Sequence, residues 1–154
     1  MERAAGFPNQ RLVVVPRPLV REALERPITR RLVVTDAGVF PAAEEHGRYR
    51  PQGAEETIVI LCVAGAGWVE SGGARYDVGK ATAVVLPGNT GEAHAYGASA
   101  EDPWTIWWCH VRGSDAAELV EESGVRAGRP IIPLVAVDRL TAMLDGIITA
   151  LEQD

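Results

Sequence analysis

Three histidines, His46, His94 and His110, are the side chains of this 154-residue chain with the chemistry to hold a metal ion or to move protons near neutral pH. Metal sites inside β-sheet proteins draw on several histidines and a carboxylate, often with two imidazoles one residue apart, because alternate strand residues face the same side. No His-x-His sequence occurs, and the three histidines are widely spaced. This spacing favours local hydrogen bonding or the lining of a polar pocket. We therefore predict no metal and no other cofactor.

The nucleophile and carboxylate patterns argue against catalysis. Cys62 and Cys109 each lie in an apolar run, where a thiol is expected to be buried, reduced and inert. Adjacent glutamates stand at positions 44–45 and 55–56. Neighbouring residues of an extended chain point in opposite directions, so solvated loops explain these pairs better than an acid–base site. We predict a binding protein that is not an enzyme.

Aromatic groups concentrate in the later part of the chain. Three of the four tryptophans, Trp104, Trp107 and Trp108, fall within five residues, and Tyr96 and His110 are close by in sequence. Such rings can be plain core. They can also line a ligand pocket, in which an indole face stacks on the apolar side of a small polyol while polar side chains bind its hydroxyl groups. Both interpretations stay open at this point.

Short apolar runs separated by glycine-rich turns occupy residues 31–113 and predict a β structure. The clearest signal is a hairpin around Gly72-Gly73, since glycine adopts the positive φ angles of a two-residue turn. Other strands are predicted at residues 32–35, 57–63, 81–86 and 106–111. The absence of helical patterns between them favours a sandwich or closed barrel over a sheet of βαβ units.

The strand at 106–111 has two distinct faces. Strand alternation puts Ile106, Trp108 and His110 on one side and Trp107 and Cys109 on the other. The first set therefore contains the residues that could share a pocket.

The ends of the chain differ from the β section. Residues 1–30 contain four prolines, which predict an arm with short extended pieces such as 12–15 and no long helix. Residues 114–154 form a helical segment, with a first helix capped by Ser114-Asp115 and ended by Gly124. In a second helix, an apolar stripe begins at Val137 and continues to the end of the chain. The stripe packs either on the protein's own β section or on a second copy.

Charge and hydropathy restrict the partners. The net charge is −6, the mean hydropathy is near zero, and no cluster of Lys or Arg could collect phosphates, which argues against direct binding of nucleic acid. No run of about 20 apolar residues and no signal peptide pattern occurs. We expect one cytoplasmic domain with no membrane partner.

Several motifs together resemble one family. The sequence His94-Ala95-Tyr96-Gly97 is followed by a Pro-Trp step at 103–104 and by the Trp-x-His strand that ends at Gly113. Upstream lie an arginine at position 50 and the Gly-x-Gly sequence at 65–67. Their order and spacing resemble the N-terminal effector-binding and dimerisation domain of AraC-type transcriptional regulators, over roughly residues 30–124.

The resemblance implies a fold, a site and partners. The fold would be a cupin-like β-barrel, a double-stranded β-helix or jelly roll, over residues 31–113, followed by C-terminal α-helices, with residues 1–30 as an arm or lid. A sugar-like small-molecule effector would bind inside the barrel. Arg50 would bind its hydroxyl groups and Trp108 would stack on it. The expected ligand-binding residues are Arg50, Tyr96, Trp108, Ile106, His110, His94 and, in the lid, Pro8.

The same resemblance implies a homodimer through the C-terminal helix and a DNA-binding half beyond residue 154. The alternative function is a small metal-dependent cupin enzyme, an isomerase or oxygenase, with a metal held by the three histidines.

Overall fold

The computed structural model describes residues 2–125 and 129–153. The first residue of the predicted arm, and residues 126–128 and 154 of the predicted helical segment, lie outside the described residues.

Ten strands and three helices make up this part of the chain. The strands are β1 (Arg11–Val14), β2 (Val33–Phe40), β3 (Gly47–Arg50), β4 (Thr57–Ala64), β5 (Gly67–Ser71), β6 (Ala74–Val78), β7 (Thr82–Leu86), β8 (His94–Ala98), β9 (Thr105–Arg112) and β10 (Ile131–Pro133). The helices are α1 (Arg17–Ala23), α2 (Ala116–Glu122) and α3 (Val137–Glu152).

The strands form two antiparallel sheets. One has the order β1-β2-β9-β4-β7-β10 and the other has the order β3-β8-β5-β6. The prediction of a mainly β, cupin-like jelly roll with C-terminal helices is confirmed. The expected closure into one barrel is not: within the described residues, no strand pair joins the two sheets.

The predicted hairpin is present between β5 and β6. Gly72 and Gly73 have φ angles of 61° and 79°, which glycine adopts without a steric cost. Its strands pair from Ser71 opposite Ala74 to Gly67 opposite Val78.

The alternation predicted for β9 sorts its residues between two hydrophobic layers. Ile106 and Trp108 belong to the core between the sheets, together with residues from both sheets. Trp107 and Cys109 face the opposite side and pack in a second cluster with α3. One strand therefore serves the interior and the helical layer.

Helix α3 packs on the six-stranded sheet of its own chain, which is the first of the two alternatives for the apolar stripe. Leu144 and Ile148 are buried against Leu61 and Ala83, and the rest of the stripe is partly buried around them. The apolar stripe of α3 is therefore covered by the sheet of the same chain.

Three local features were not predicted or were predicted differently. The proline-rich segment contains a short helix, α1, of seven residues, whose prolines lie at the helix start, where the missing N–H has no intrahelical partner to lose. Asp115 makes no side-chain cap on α2; its carboxylate instead accepts a hydrogen bond from Arg31 Nε at 2.9 Å. Strands β3, β8 and β10 were not predicted as strands, because they are short and carry polar residues or prolines.

Cys62 and Cys109 are free and buried, as predicted. Burial raises the pKa of each thiol to about 11, which keeps both protonated at neutral pH. Among the described residues, no helix combines the length and the apolar character needed to cross a membrane.

Candidate ligand-binding site

A cavity of about 260 Å³ lies between the inner faces of the two sheets and is bordered by the N-terminal segment. Its walls come from β2, β4 and β9 of one sheet, from β3 and β8 of the other, and from β1 and α1. Both apolar and charged side chains line it, as is usual for small-molecule sites.

Five of the seven residues predicted to bind a ligand line this cavity. They are Arg50, Tyr96, Ile106, Trp108 and His110. His94 does not line the cavity, but its Nε2 contacts the guanidinium group of Arg50. Pro8 also lies outside the lining and is exposed to solvent.

The N-terminal segment reaches the cavity through residues other than Pro8. Phe7, beside it, is buried in the core with its ring 4.9 Å from that of Phe40 and 5.4 Å from that of His46. This anchor leaves Ala4 and Ala5 at the cavity. The sequence feature that points to this contact is the single large apolar residue of positions 2–10.

Trp108 forms an aromatic wall with its neighbours on β2 and β9. Its ring centre lies 5.3 Å from that of Phe40 and 5.0 Å from that of His110. The opposite residue on β2 is Gly38, and a Cβ there would lie 2.9 Å from Trp108 Cζ2. Glycine at this position lets the indole lie close to the neighbouring strand. The indole Nε1 is buried and has no hydrogen-bond partner among the described residues.

Arg50 is held by two uncharged side chains of β8. Its Nη1 donates to Tyr96 Oη at 3.0 Å and to His94 Nε2 at 3.1 Å. The guanidinium carbon also lies 5.6 Å from the centre of the Tyr96 ring. These contacts hold the arginine head in place and leave its other N–H groups free of side-chain acceptors within the described residues.

His46 and His94 are both kept neutral. Burial, followed by the positive charges of Arg48 and Arg50, lowers the pKa of His46 to about 4. Burial, followed by the charge of Arg50, lowers the pKa of His94 to about 4. Trp104 Nε1 donates to His46 Nδ1 at 3.0 Å, which requires the neutral imidazole.

The opposite part of the cavity contains an ion-pair network of one arginine and two carboxylates. Arg17 Nη2 lies 2.9 Å from Asp36 Oδ2 and 3.2 Å from Glu56 Oε1. Burial opposes ionisation of Asp36, but hydrogen bonds from His110, Arg17 and Thr35 outweigh it and lower the pKa of Asp36 to about 2. The carboxylate is therefore ionised and fully engaged by its neighbours.

Three of these polar residues and Arg48 were not predicted. Arg17, Asp36 and Glu56 come from three different elements, so no local spacing links them. A weak signal existed for Asp36, which is the only charged residue between Leu32 and Phe40. Arg48 precedes Arg50 by two positions and would have been found from the strand alternation, had β3 been recognised.

The three histidines have separate partners. His46 is bonded to Trp104 and His94 to Arg50, while His110 Nδ1 lies 3.3 Å from Asp36 Oδ2. Within residues 2–125 and 129–153, no three His, Cys, Asp or Glu side chains are arranged to hold a metal ion.

Comparisons with known proteins identify relatives of this arrangement. Residues 38–154 match the family described as the AraC-like ligand binding domain. The MmsAB operon regulatory protein of Pseudomonas aeruginosa is 34% identical over 116 residues, which are 73% of this chain. The chain spans 37% of the length of that regulatory protein.

Solved structures with similar folds include cupins. The Cnp3 cupin domain of Schizosaccharomyces pombe is 10% identical, with a TM-score of 0.42 over 64% of this chain and 66% of that one. KdgF from Halomonas sp. is 19% identical, with a TM-score of 0.39 over 69% of this chain and 80% of that one.

Proposed function

The chain belongs to the AraC-like ligand-binding domain family, and from this premise we propose that it is the effector-sensing domain of a transcriptional regulator. The observation that supports the proposal most directly is the cavity lined by an indole wall, a fixed arginine and a tyrosine. In this proposal the domain binds its effector without converting it. DNA contacts belong to another part of the full-length regulator, which acts in the cytoplasm.

The effector is proposed to be a small hydroxylated molecule, a sugar or a related polyol. The cavity is slightly below the roughly 300–1,000 Å³ typical of ligand pockets, which suits a ligand of monosaccharide size or less. Trp108 supplies a flat apolar face, and Arg50 and Tyr96 supply hydrogen-bonding groups at the cavity wall. This combination is the one that hydroxylated carbon chains require.

Calorimetry of the 154-residue chain against sugars, polyols and their acid derivatives tests the proposal. Binding should quench tryptophan fluorescence in the wild type and in Trp68→Phe, whose indole lies outside the cavity lining, but much less in Trp108→Phe. The ligand should be recovered chemically unchanged after incubation. Conversion of the ligand, or tight binding with equal quenching in Trp108→Phe, would contradict the proposal.

We also propose that the domain forms a homodimer through the outer face of α3. That face carries Ala142, Gly146 and Ala150 at four-residue intervals, next to Met143, which is 62% exposed. Small residues at this spacing let two helices approach closely. A Cβ at Gly146 would meet no atom within 4 Å among the described residues outside its own helix, so we expect a substitution there to leave the protomer intact.

Sedimentation of variants tests the dimer. Ala142→Glu and Gly146→Glu should each shift the chain from dimer to monomer, whereas Ala117→Glu on the exposed side of α2 should leave the dimer unchanged. A wild-type chain that sediments as a monomer at high concentration would overturn this part of the proposal.

A further inference from the structure

Two arginines on the inner face of β3 have no carboxylate partner in the part of the chain that the structure describes. Arg48 and Arg50 stand at alternate positions of the strand, so they share a face and both line the cavity, roughly 7 Å apart along the chain. Among the described residues, neither has an aspartate or glutamate at ion-pair distance.

Their partners are neutral. Arg50 donates to a phenol and to an imidazole, and burial together with these arginine charges keeps the neighbouring His46 and His94 uncharged. After burial, both arginine charges contribute to those lowered pKa values, so they act on the same two imidazoles.

The acidic groups of the cavity are already occupied. Asp36 and Glu56 both bind Arg17, and Asp36 also accepts hydrogen bonds from His110 and Thr35. The three guanidinium groups and two carboxylates of the cavity therefore leave one positive charge unbalanced, and it lies on the β3 side. Arg50 is partly buried, so water screens its charge only in part, and Arg48 lies exposed beside it. A ligand that supplies a counter-ion stabilises a partly buried cation.

We propose that the effector carries a carboxylate, which binds Arg48 and Arg50, so that the ligand class is a small hydroxy acid such as a sugar acid. This inference rests on the proposed function of the cavity. The carboxylate would accept charge-assisted hydrogen bonds from the free guanidinium N–H groups of β3. The hydroxylated carbon chain would lie along Trp108 toward the Arg17 network.

Matched pairs of ligands provide the first test. Calorimetry compares D-gluconate with D-glucose, D-xylonate with D-xylose, and glycerate with glycerol, with glycerol 3-phosphate as the phosphate counterpart. At least one acid should bind roughly ten- to a hundredfold more tightly than its neutral partner, which is the range expected for a charged hydrogen-bonded contact. Raising the salt concentration should weaken this binding.

Two outcomes of this test overturn the inference. If a neutral sugar or polyol binds as tightly as its acid, the carboxylate is not recognised, although the proposed sensing function stands. If glycerol 3-phosphate binds at least tenfold more tightly than glycerate, the anion is a phosphate and not a carboxylate.

If none of the matched ligands binds, a simple carboxylate can still test whether the two arginines bind an anion. Sodium acetate is titrated into the chain at constant ionic strength while the arginine Nε–Hε signals are followed by NMR. The signals of Arg48 and Arg50 should shift and saturate, whereas those of the exposed Arg139 should not. Equal shifts of the three arginine signals, or no shift of any of them, would overturn the inference. Saturable shifts of Arg48 and Arg50 without binding of any matched ligand would support it and would refute only the sugar-like part of the proposed function.

Charge-neutralising variants complete the design. The Arg48 side chain makes no hydrogen bond or ion pair with the described residues, so Arg48→Gln should keep the melting temperature of the free chain. It should nevertheless remove most of the preference for the acid over its neutral partner. Arg50→Gln should do the same to binding, and Arg139→Gln should change neither property. Full retention of the preference in both cavity variants would refute the assignment.

Discussion

Individual side chains of the cavity are tuned by burial and by charges from distant parts of the sequence. His46 and His94 are neutral because they are buried beside arginines, and Asp36 is charged because three donors surround it. The sequence allowed Arg50, Tyr96 and Trp108 to be selected through motif order and strand alternation. It did not reveal Arg17 and Glu56, because their pairing depends on how the fold brings the first residue of α1 to the residue that precedes β4.

The lowered pKa values of the two histidines predict acid sensitivity. Each pKa falls from an ordinary value of 6.5 to about 4 on folding, so the unfolded chain binds more protons between these values. The free energy of unfolding is therefore highest above about pH 6.5, where both states hold neutral histidines, and it decreases as the pH falls toward 4. Between pH 7 and 5, the free energy of unfolding should decrease by about 1–3 kcal/mol for each histidine.

Urea unfolding at several pH values measures this effect. In His94→Gln, the amide oxygen can still accept from Arg50 but cannot be protonated in this range, so about half of the loss should disappear. An identical pH dependence in the variant and the wild type would show that His94 does not contribute.

The secondary-structure elements could be predicted where their pattern was long and regular. The β5–β6 hairpin, β4, β7, β9 and α3 follow from alternation, glycine turns and helical periodicity. Helix α1 was missed because prolines were interpreted only as helix breakers, although they favour the first turn. The position of α3 could not be predicted, since the same apolar stripe fits a sheet or a second copy.

Packing of α3 on the sheet predicts a large difference between two neighbouring residues. Leu144 is 7% exposed in the second cluster, whereas Met143 is 62% exposed. Leu144→Ala should lower the free energy of unfolding by about 2–5 kcal/mol, because it leaves a cavity under the helix. Met143→Ala should change it by less than about 1 kcal/mol.

Denaturant unfolding of both variants at a concentration where the chain is monomeric checks this prediction. Similar losses at the two positions would mean that α3 is not held by its inner face. A loss for Met143→Ala that appears only at high concentration would instead reflect the proposed dimer.

Across the whole molecule, β1 connects the cavity to α3. Leu12 and Val14 line the cavity, while Val13, on the opposite face, packs in the cluster beneath α3. From that same face, Arg11 bonds Asp145, Thr149 and Glu152 on α3. A ligand that contacts β1 therefore acts on a strand that is directly bonded to the proposed dimer helix.

This connection predicts that effector binding is transmitted to α3 through Arg11. In hydrogen exchange of the wild-type chain, the ligand should slow exchange in both β1 and α3, because it stabilises the strand on which Arg11 lies. In Arg11→Gln, the ligand should still protect β1 but protect α3 much less. The control Arg31→Gln removes a bond to Asp115 at the start of α2, far from β1 in sequence, and should keep both effects.

The size of the effect follows from the exposure of this network. Exposed ion pairs contribute about 0.2–1 kcal/mol each, so Arg11→Gln should fold normally and keep its affinity within a few fold. Coupling between two sites is typically about 1–3 kcal/mol, and losing most of it should remove the ligand's effect on α3 without unfolding the helix. Undiminished protection of α3 in this variant would show that the signal travels through the packing of Val13 and not through the arginine.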